Sequence, residues 1–254
     1  MKGFRLTDLT WEDVEELVAG EDPVVLVPVG STEQHGRHLP LGTDSFVAID
    51  LAERAAASVR AVIAPPLWYG MSSHHMMLPG TVTVRPEILL EFVYDVVRSL
   101  ALGGFSRFVL VNGHRIANLP WMQLVCERVQ REMPRCRIEI FDPAYMSTEV
   151  ANELGFGPVG HAEEIETSHL LASNPDLVNM DKAEDHPEEE TPLYHVDPRE
   201  PGDSLVYVPR PMASPRLTGG VKGCPTKADS EKGEIYRGHL AGRLVDVIEG
   251  MQSV

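Results

Sequence analysis

Two short apolar runs, Val24 to Val29 and Phe108 to Val111, contain no alternation of polar and apolar positions. A strand with one solvated face alternates. A continuous run of this length belongs instead to a strand buried on both faces, the condition of a parallel sheet covered by helices on each side. Further strands are expected near Arg60 to Ala64 and at Ile138 to Phe141, with helical patterns between them. Residues 7–20 read as a short amphipathic helix in which Thr10 is followed three residues later by Asp13, a capping-box-like pair. After Asp44, the positions Phe46, Ile49, Ala52 or Glu53, and Ala56 recur at helical spacing, with alanines small enough for close packing on a sheet. Pro86 opens a helix with Ile88, Leu89, Phe92, Val96 and Leu100 along one face, ended by Gly103 and Gly104. Another runs from about Leu119 to Met133, one begins in HAEEIETSHLLASNP, and EKGEIYRGHLAGRLVDVIEGM closes the chain as an amphipathic helix. Tyr145 to Pro158 gives no clear pattern. The alternation of strands and helices predicts α/β architecture with a mainly parallel central sheet.

At 254 residues the chain can bury a sizeable core, and it is read as one domain over residues 1–254. Residues 181–216 are a Pro- and charge-rich loop excursion, too short for a domain, with a hairpin expected at Ser204 to Val208 and a solvated acidic run at Glu188 to Glu190. Hydrophobic residues at 43% and charged residues at 24% fit a soluble globular protein. No apolar run approaches the roughly 20 residues that span a bilayer, so no membrane partner is expected. The N-terminal MKGFRLTDLTWEDVEEL lacks an apolar h-region, does not read as a signal peptide, and leaves the cytoplasm as the expected location. Three cysteines with no CxxC pair argue against a disulfide framework and a thiolate metal site. A formal net charge of -16 disfavours nucleic-acid binding, which needs a basic surface; bound divalent cations would offset part of it.

Polar residues gather where the strands end. Val24 to Val29 leads directly into GSTEQHGRHLPLGTD, Gly30 to Asp44, at the edge where open α/β sheets carry their active sites. Glu33 and His35 are two apart and point to the same side of an extended backbone, and Asp44 returns to them after the turn through Pro40 and Gly42. Two carboxylates and an imidazole suit one or two divalent metals; the alternative is a solvated loop with incidental polar residues. His38 reads as orienting a neighbour or meeting solvent. The second run ends in Asn112-Gly113-His114, where glycine suits a tight turn that aims an imidazole over the sheet edge, although a histidine after a strand is more often structural. His161, Glu163, Glu164 and Glu166 open a helix, where carboxylates also favour the dipole. On that helix His161 and Glu164 share a face and Glu166 points elsewhere, so that one glutamate binds metal while the other handles protons and Glu163 faces solvent. The loop LWYGMSSHHMMLPGTVTV is expected to form a second wall, its His74 and His75 being either substrate contacts or plain loop residues.

The motifs GSTEQHGRHLPLGTD, SSHHMMLPGTVTV, VNGH, HAEEIETS and GVKGCPTKADSEKGE, in this order over roughly residues 24–240, resemble those of the creatininase (creatinine amidohydrolase) family. The resemblance implies a three-layer α/β metal-dependent hydrolase assembled as a homo-oligomer, usually a hexamer. It implies two divalent ions on Glu33, His35, Asp44, His114 and Glu166, with Asp44 bridging, and His161 moving protons to the leaving group. Zinc is the first expectation, with manganese or iron as alternatives, because Glu, His and Asp suit all three. Such a centre lowers the pKa of water and polarises a carbonyl, which permits hydrolysis at neutral pH. Relatives commonly read NGHGGN, and creatininase has an acidic residue two positions after the histidine. This chain reads NGHRIAN, with Ile116 at that place, so the water-activating base is missing and Glu164 is the expected catalytic substitute.

Arg115 would set a guanidinium near the substrate, with His75, Ser73 and Trp68 shaping the pocket, and would favour an oxygen-rich or anionic ligand over neutral creatinine. NGHRIAN also resembles the inosose-type hydrolases. The expected substrate is small and cyclic, either a cyclic amide or a cyclic polyhydroxy ketone such as a dehydro-inosose. Creatinine hydrolysis, formamide deformylation and peptide hydrolysis are the alternatives on this scaffold, and a catalytically silent metal-binding interaction subunit is the alternative of another class. A nucleotide-binding reading is set aside, because Gly30-Ser31-Thr32-Glu33 places a carboxylate where phosphates would sit.

Overall fold

A computed structural model describes residues 3–20, 22–187 and 219–253; the segments expected as a hairpin at Ser204 to Val208 and a solvated run at Glu188 to Glu190 lie outside them. The strands β1 (Phe4–Arg5), β2 (Val24–Val29), β3 (Ala61–Ile63), β4 (Arg107–Asn112) and β5 (Arg137–Phe141) form one sheet in the order β1-β3-β2-β4-β5, parallel throughout. The helices of the described residues are α1 (Trp11–Gly20), α2 (Thr43–Ser58), α3 (Pro86–Leu102), α4 (Leu119–Glu132), α5 (Pro143–Met146), α6 (Thr148–Glu153), α7 (Glu164–Ser173) and α8 (Ser230–Gln252). No helix among them is long and apolar enough to cross a membrane.

The unbroken apolar runs are the central strands. Along β2, Val24 and Leu26 enter one core with α2, α7 and α8, while Val25, Val27 and Val29 enter a second core with α1, α3 and α4. β4 divides in the same way, Val109 and Val111 to the first core, Phe108 and Leu110 to the second. Each strand is therefore covered on both faces, which gives the three layers and removes the need for polar alternation. β1 escapes sequence reading because two residues carry no periodicity.

Local signals account for most helix ends. At α1 the Thr10 N–H donates to Asp13 Oδ2 at 2.7 Å and the Asp13 N–H donates to Thr10 Oγ1 at 3.2 Å, the reciprocal pair that a capping box requires. The helix itself begins at Trp11, after a single 3-10 turn at Leu6–Asp8, and is shorter than expected. In α3 the buried stripe is Leu89, Val93 and Val97 with Tyr94, whereas Ile88 and Phe92 are exposed. The apolar residues of this helix cover more than one face, so spacing alone did not pick the stripe that meets the sheet. The unclear stretch from Tyr145 to Pro158 contains α5 and α6, with the Asp142 carboxylate accepting the Ala144 N–H at the start of α5.

One partly buried ion-pair group fastens the α2, α7 and α8 layer. Asp50 of α2 accepts from the Arg237 guanidinium of α8 through both oxygens and lies 3.0 Å from His169 Nε2 of α7. Burial alone would raise the Asp50 carboxyl, but its hydrogen bonds from His169 and Arg237 outweigh this and hold it below the usual value.

Candidate metal centre

The ladder between β2 and β4 sets Val29 beside Asn112, so the two strands release their loops side by side, and the Gly113 N–H donates to the Val29 carbonyl at 2.8 Å. Asn118 ties these exits together. Its Nδ2 donates to the Gly30 carbonyl at 3.2 Å, and its Oδ1 accepts from Met71 N–H and Trp121 Nε1–H. The loop after β3 closes the far side through the threonines of TVTV: Thr81 Oγ1 accepts from Gln34 N–H and Thr83 Oγ1 accepts from Ser72 N–H. Gly113 is required for space. A Cβ there would lie 1.9 Å from the Asp44 carbonyl oxygen, so only glycine lets the β4 exit pass the first turn of α2.

These exits converge on a buried cluster. His35 Nε2 is 3.1 Å from Asp44 Oδ1, His114 Nδ1 is 3.0 Å from Asp44 Oδ2, and His114 Nε2 is 3.2 Å from Glu33 Oε2. Glu166 Oε2 lies 3.7 Å from His35 Nε2. Donor atoms group as Glu33, Asp44 and His114, as His35, Asp44 and Glu166, and as Glu33, His35 and His161, each within 4.8 Å. His35 Nδ1 faces the Glu33 carbonyl at 3.2 Å, an arrangement that leaves Nε2 free for a ligand. Glu33 Oε1, His35 Nε2 and Asp44 Oδ2 are all buried and, despite ion-pair neighbours at 3.0–3.6 Å, none makes a hydrogen bond. Leaving one buried polar atom unpaired costs about 1–3 kcal/mol, so three within a single cluster call for a shared partner. Carboxylate and imidazole donors are the set that binds a divalent cation, and the residues fit one.

Electrostatics points the same way. Burial pushes Glu33 up to about 7 against the pull of His114. Burial disfavours charge on His35 and His114 too, yet the facing carboxylates prevail and raise them to about 10 and about 9. For Asp44, burial is outweighed by both imidazoles, which hold it far below the carboxylate range. The carboxylates thus draw positive charge onto their neighbours, the charge that cations would supply.

His161 does not stand on α7. It precedes the helix in a bridge with Lys222, and Ala162 between them adopts φ 50°, so the shared helical face expected for His161 and Glu164 does not exist. His161 nevertheless reaches the cluster: its Nε2–H donates to the Gln34 carbonyl at 2.7 Å and its Nδ1 lies 3.6 Å from Glu33 Oε1. Burial and the neighbouring His35 lower its affinity for a proton well below that of free histidine. His75 stacks on the His161 ring at 4.0 Å and sets Nε2 3.4 Å from Glu33 Oε1, and burial likewise lowers it.

Several expectations are corrected by geometry. Glu163, expected in solvent, is 1% exposed and caps α7 by accepting the Glu166 N–H at 3.0 Å. Glu164 is not brought to the cluster; it accepts from Gly157 N–H and lies 3.7 Å from Lys232 Nζ. The Arg115 guanidinium, expected at the substrate, is buried and shared between Glu163 Oε1 at 2.8 Å and Glu166 Oε1. Ser73 is exposed with its hydroxyl on Met71, and Trp68 packs edge-on to Phe46 of α2, so neither joins the cluster. His38 is buried rather than solvated, bonded through Nε2 to Thr167 Oγ1, and burial lowers it to about 4. Gln34 went unread in the sequence, yet its amide nitrogen lies 2.8 Å from His75 Nδ1 and its carbonyl anchors His161.

A parallel three-layer sheet with buried carboxylates and imidazoles at its C-terminal edge defines an α/β protein with a candidate divalent-cation site. The creatininase family, described as creatinine amidohydrolase, matches residues 7–248, and the chain belongs to that family. It is 31% identical over 97% of its length to the creatinine amidohydrolase of Pseudomonas putida, of which 96% is covered. It is 34% identical over 91% of its length to the mycofactocin precursor peptide peptidase of Mycolicibacterium smegmatis, of which 86% is covered. To the 3-dehydro-scyllo-inosose hydrolase of Thermotoga maritima it is 28% identical over 77% of its length and 64% of that protein. Among solved structures, a mutant creatininase superposes with TM-score 0.81 at 29% identity over 99% of both chains. A mutant creatininase of Zn-Zn type gives 0.79 at 28% over 99% of both chains, and a Mn creatininase gives 0.78 at 28% over 98% of this chain and 99% of the other. The protein is accordingly a hydrolase of the creatininase family.

Proposed function

We propose that this hydrolase uses two divalent cations, one held by Glu33, Asp44 and His114 and the other by His35, Asp44 and Glu166, to add water to the carbonyl carbon of a small cyclic substrate. The observation that carries the reading is Asp44, common to both groups, each of whose oxygens faces a different imidazole. Zinc is the first expectation, manganese the next, in keeping with the metals of the solved creatininases. Bound cations would polarise the carbonyl and make water acidic enough to react at neutral pH.

His161 handles the proton. Its Nε2–H is committed to the Gln34 carbonyl, which leaves Nδ1 as the acceptor facing the cluster. As the water oxygen bonds to the carbonyl carbon, Nδ1 takes the proton that water loses and returns it to the leaving nitrogen or carbon when the C–N or C–C bond breaks. His75, packed on His161, braces that ring and meets the substrate, with Trp68 and Ser73 on the exposed side of the same loop.

The substrate is neutral. The Arg115 guanidinium is held by Glu163 and Glu166, so its charge is not offered to an anionic ligand. A cyclic amide or a cyclic polyhydroxy ketone fits this balance, in line with relatives named for creatinine and for an inosose. We further propose a cytoplasmic location and a homo-oligomer, the latter supported by the exposed apolar side chains Ile88 and Phe92 of α3 and Leu124 of the adjoining α4. The test is elemental analysis of protein never exposed to chelator, followed by a screen of lactams, formamides, peptides and cyclic polyhydroxy ketones. Stoichiometric metal with turnover of a cyclic substrate is expected; metal without turnover of any of them would favour the silent interaction subunit.

A further inference from the structure

Arg115 is 8% exposed, and its guanidinium lies between two carboxylates of the α7 N-terminus. Its neighbour in sequence, His114, belongs to the Glu33 and Asp44 group, whereas its partner Glu166 belongs to the His35 and Asp44 group. The two oxygens of Glu166 are divided. Oε1 accepts from Arg115 Nη2, while Oε2 accepts the Ala162 N–H at 2.6 Å and turns towards His35 Nε2. Glu163 completes the frame, with Oε1 on Arg115 Nη1 and Oε2 on the Glu166 N–H. Among the described residues, the hydrogen bonds to the Glu166 carboxylate thus come from Arg115 and from the Ala162 N–H of the turn before α7.

We propose that Arg115 is a positioning residue for one cation group and not the other: it holds Glu166 by Oε1 so that Oε2 is presented to His35 and Asp44. This rests on the cluster being a cation site, as argued above. A guanidinium suits the task because its planar fork meets two carboxylates in fixed directions. A lysine ammonium in the same place keeps the charge but not the fork, so the charge and the geometry can be separated by experiment.

Wild type, Arg115→Lys and Arg115→Gln are stripped of metal, reloaded with zinc or manganese, and titrated against a competing chelator, with elemental analysis for stoichiometry and circular dichroism for folding. His35→Ala and His114→Ala identify which ion is which. Arg115→Lys is expected to keep the ion that His114→Ala removes at wild-type affinity. The ion that His35→Ala removes is expected to weaken about 10–100-fold, the usual effect of losing a group that orients a ligand. Arg115→Gln is expected to weaken that same ion at least as much; should it fail to fold, Arg115→Lys decides alone. Wild-type affinity for every ion in the folded variants, or equal weakening of both ions, overturns the proposal. A wild type that takes up no divalent cation would instead sink the reading of the cluster itself.

Discussion

Gly113 and His161 separate two ways in which a single residue serves this centre. Gly113 makes room, since a methyl group there meets the Asp44 carbonyl. Gly113→Ala is expected to lower stability by about 1–3 kcal/mol, as overpacking does, and to weaken cation binding by displacing His114; unchanged chelator titration would show that the loop gives way. His161 offers an acceptor nitrogen to the cluster while its other nitrogen is committed. His161→Ala should reduce kcat by about 10²- to 10⁴-fold with cation stoichiometry unchanged, read by steady-state kinetics beside elemental analysis. That Glu33, His35, Asp44 and His114 could meet was legible because each follows a strand exit, whereas Glu166 was singled out from Glu164 only by the family resemblance. Gln34 was not legible, because strand alternation would point it away from its neighbours, whereas past Val29 the chain forms only a single bridge at Thr32 and the alternation lapses.

At the scale of elements, α2, α7 and α8 are fastened by Asp50, His169 and Arg237. Arg237→Met leaves the partly buried Asp50 carboxylate with His169 but without its guanidinium partner and is expected to cost up to about 3 kcal/mol in urea denaturation at neutral pH. The folded-state pKa of Asp50 lies below its unfolded value, so this group adds stability above the unfolded value, near 4, and loses it as pH falls through the folded one. Asp50→Asn should therefore narrow the gap to wild type below about pH 4, and a gap that stays constant from pH 7 to pH 3 would contradict the assignment. The sequence located α7 by its acids but not its first residue. Glu163 as cap and Ala162 in the left-handed region move His161 off the helix, and helical spacing from His161 then misassigns Glu164. The α3 stripe failed for a related reason, since apolar residues on several faces leave the buried one to be chosen by the sheet.

Across the whole molecule, the second core leaves Ile88 and Phe92 of α3 and Leu124 of α4 uncovered. For the proposed homo-oligomer, Phe92→Lys is expected to lower the sedimentation coefficient towards that of the monomer without changing the melting temperature; identical sedimentation would remove these helices from the interface. The layered parallel sheet was readable because burial on both faces leaves an unbroken apolar run, a property each strand carries in its own residues. The carboxylate and imidazole side chains that follow those runs, Glu33, His35, Asp44 and His114, were readable for the same reason. Which donors meet, and which charge is spent, was decided only in three dimensions. Arg115 finds Glu163 and Glu166 across 48 and 51 residues, and Gln34 finds His161 across 127. Such contacts depend on strand order, on where α7 begins and on how closely Gly113 lets two loops pass, none of which is a local property of the chain.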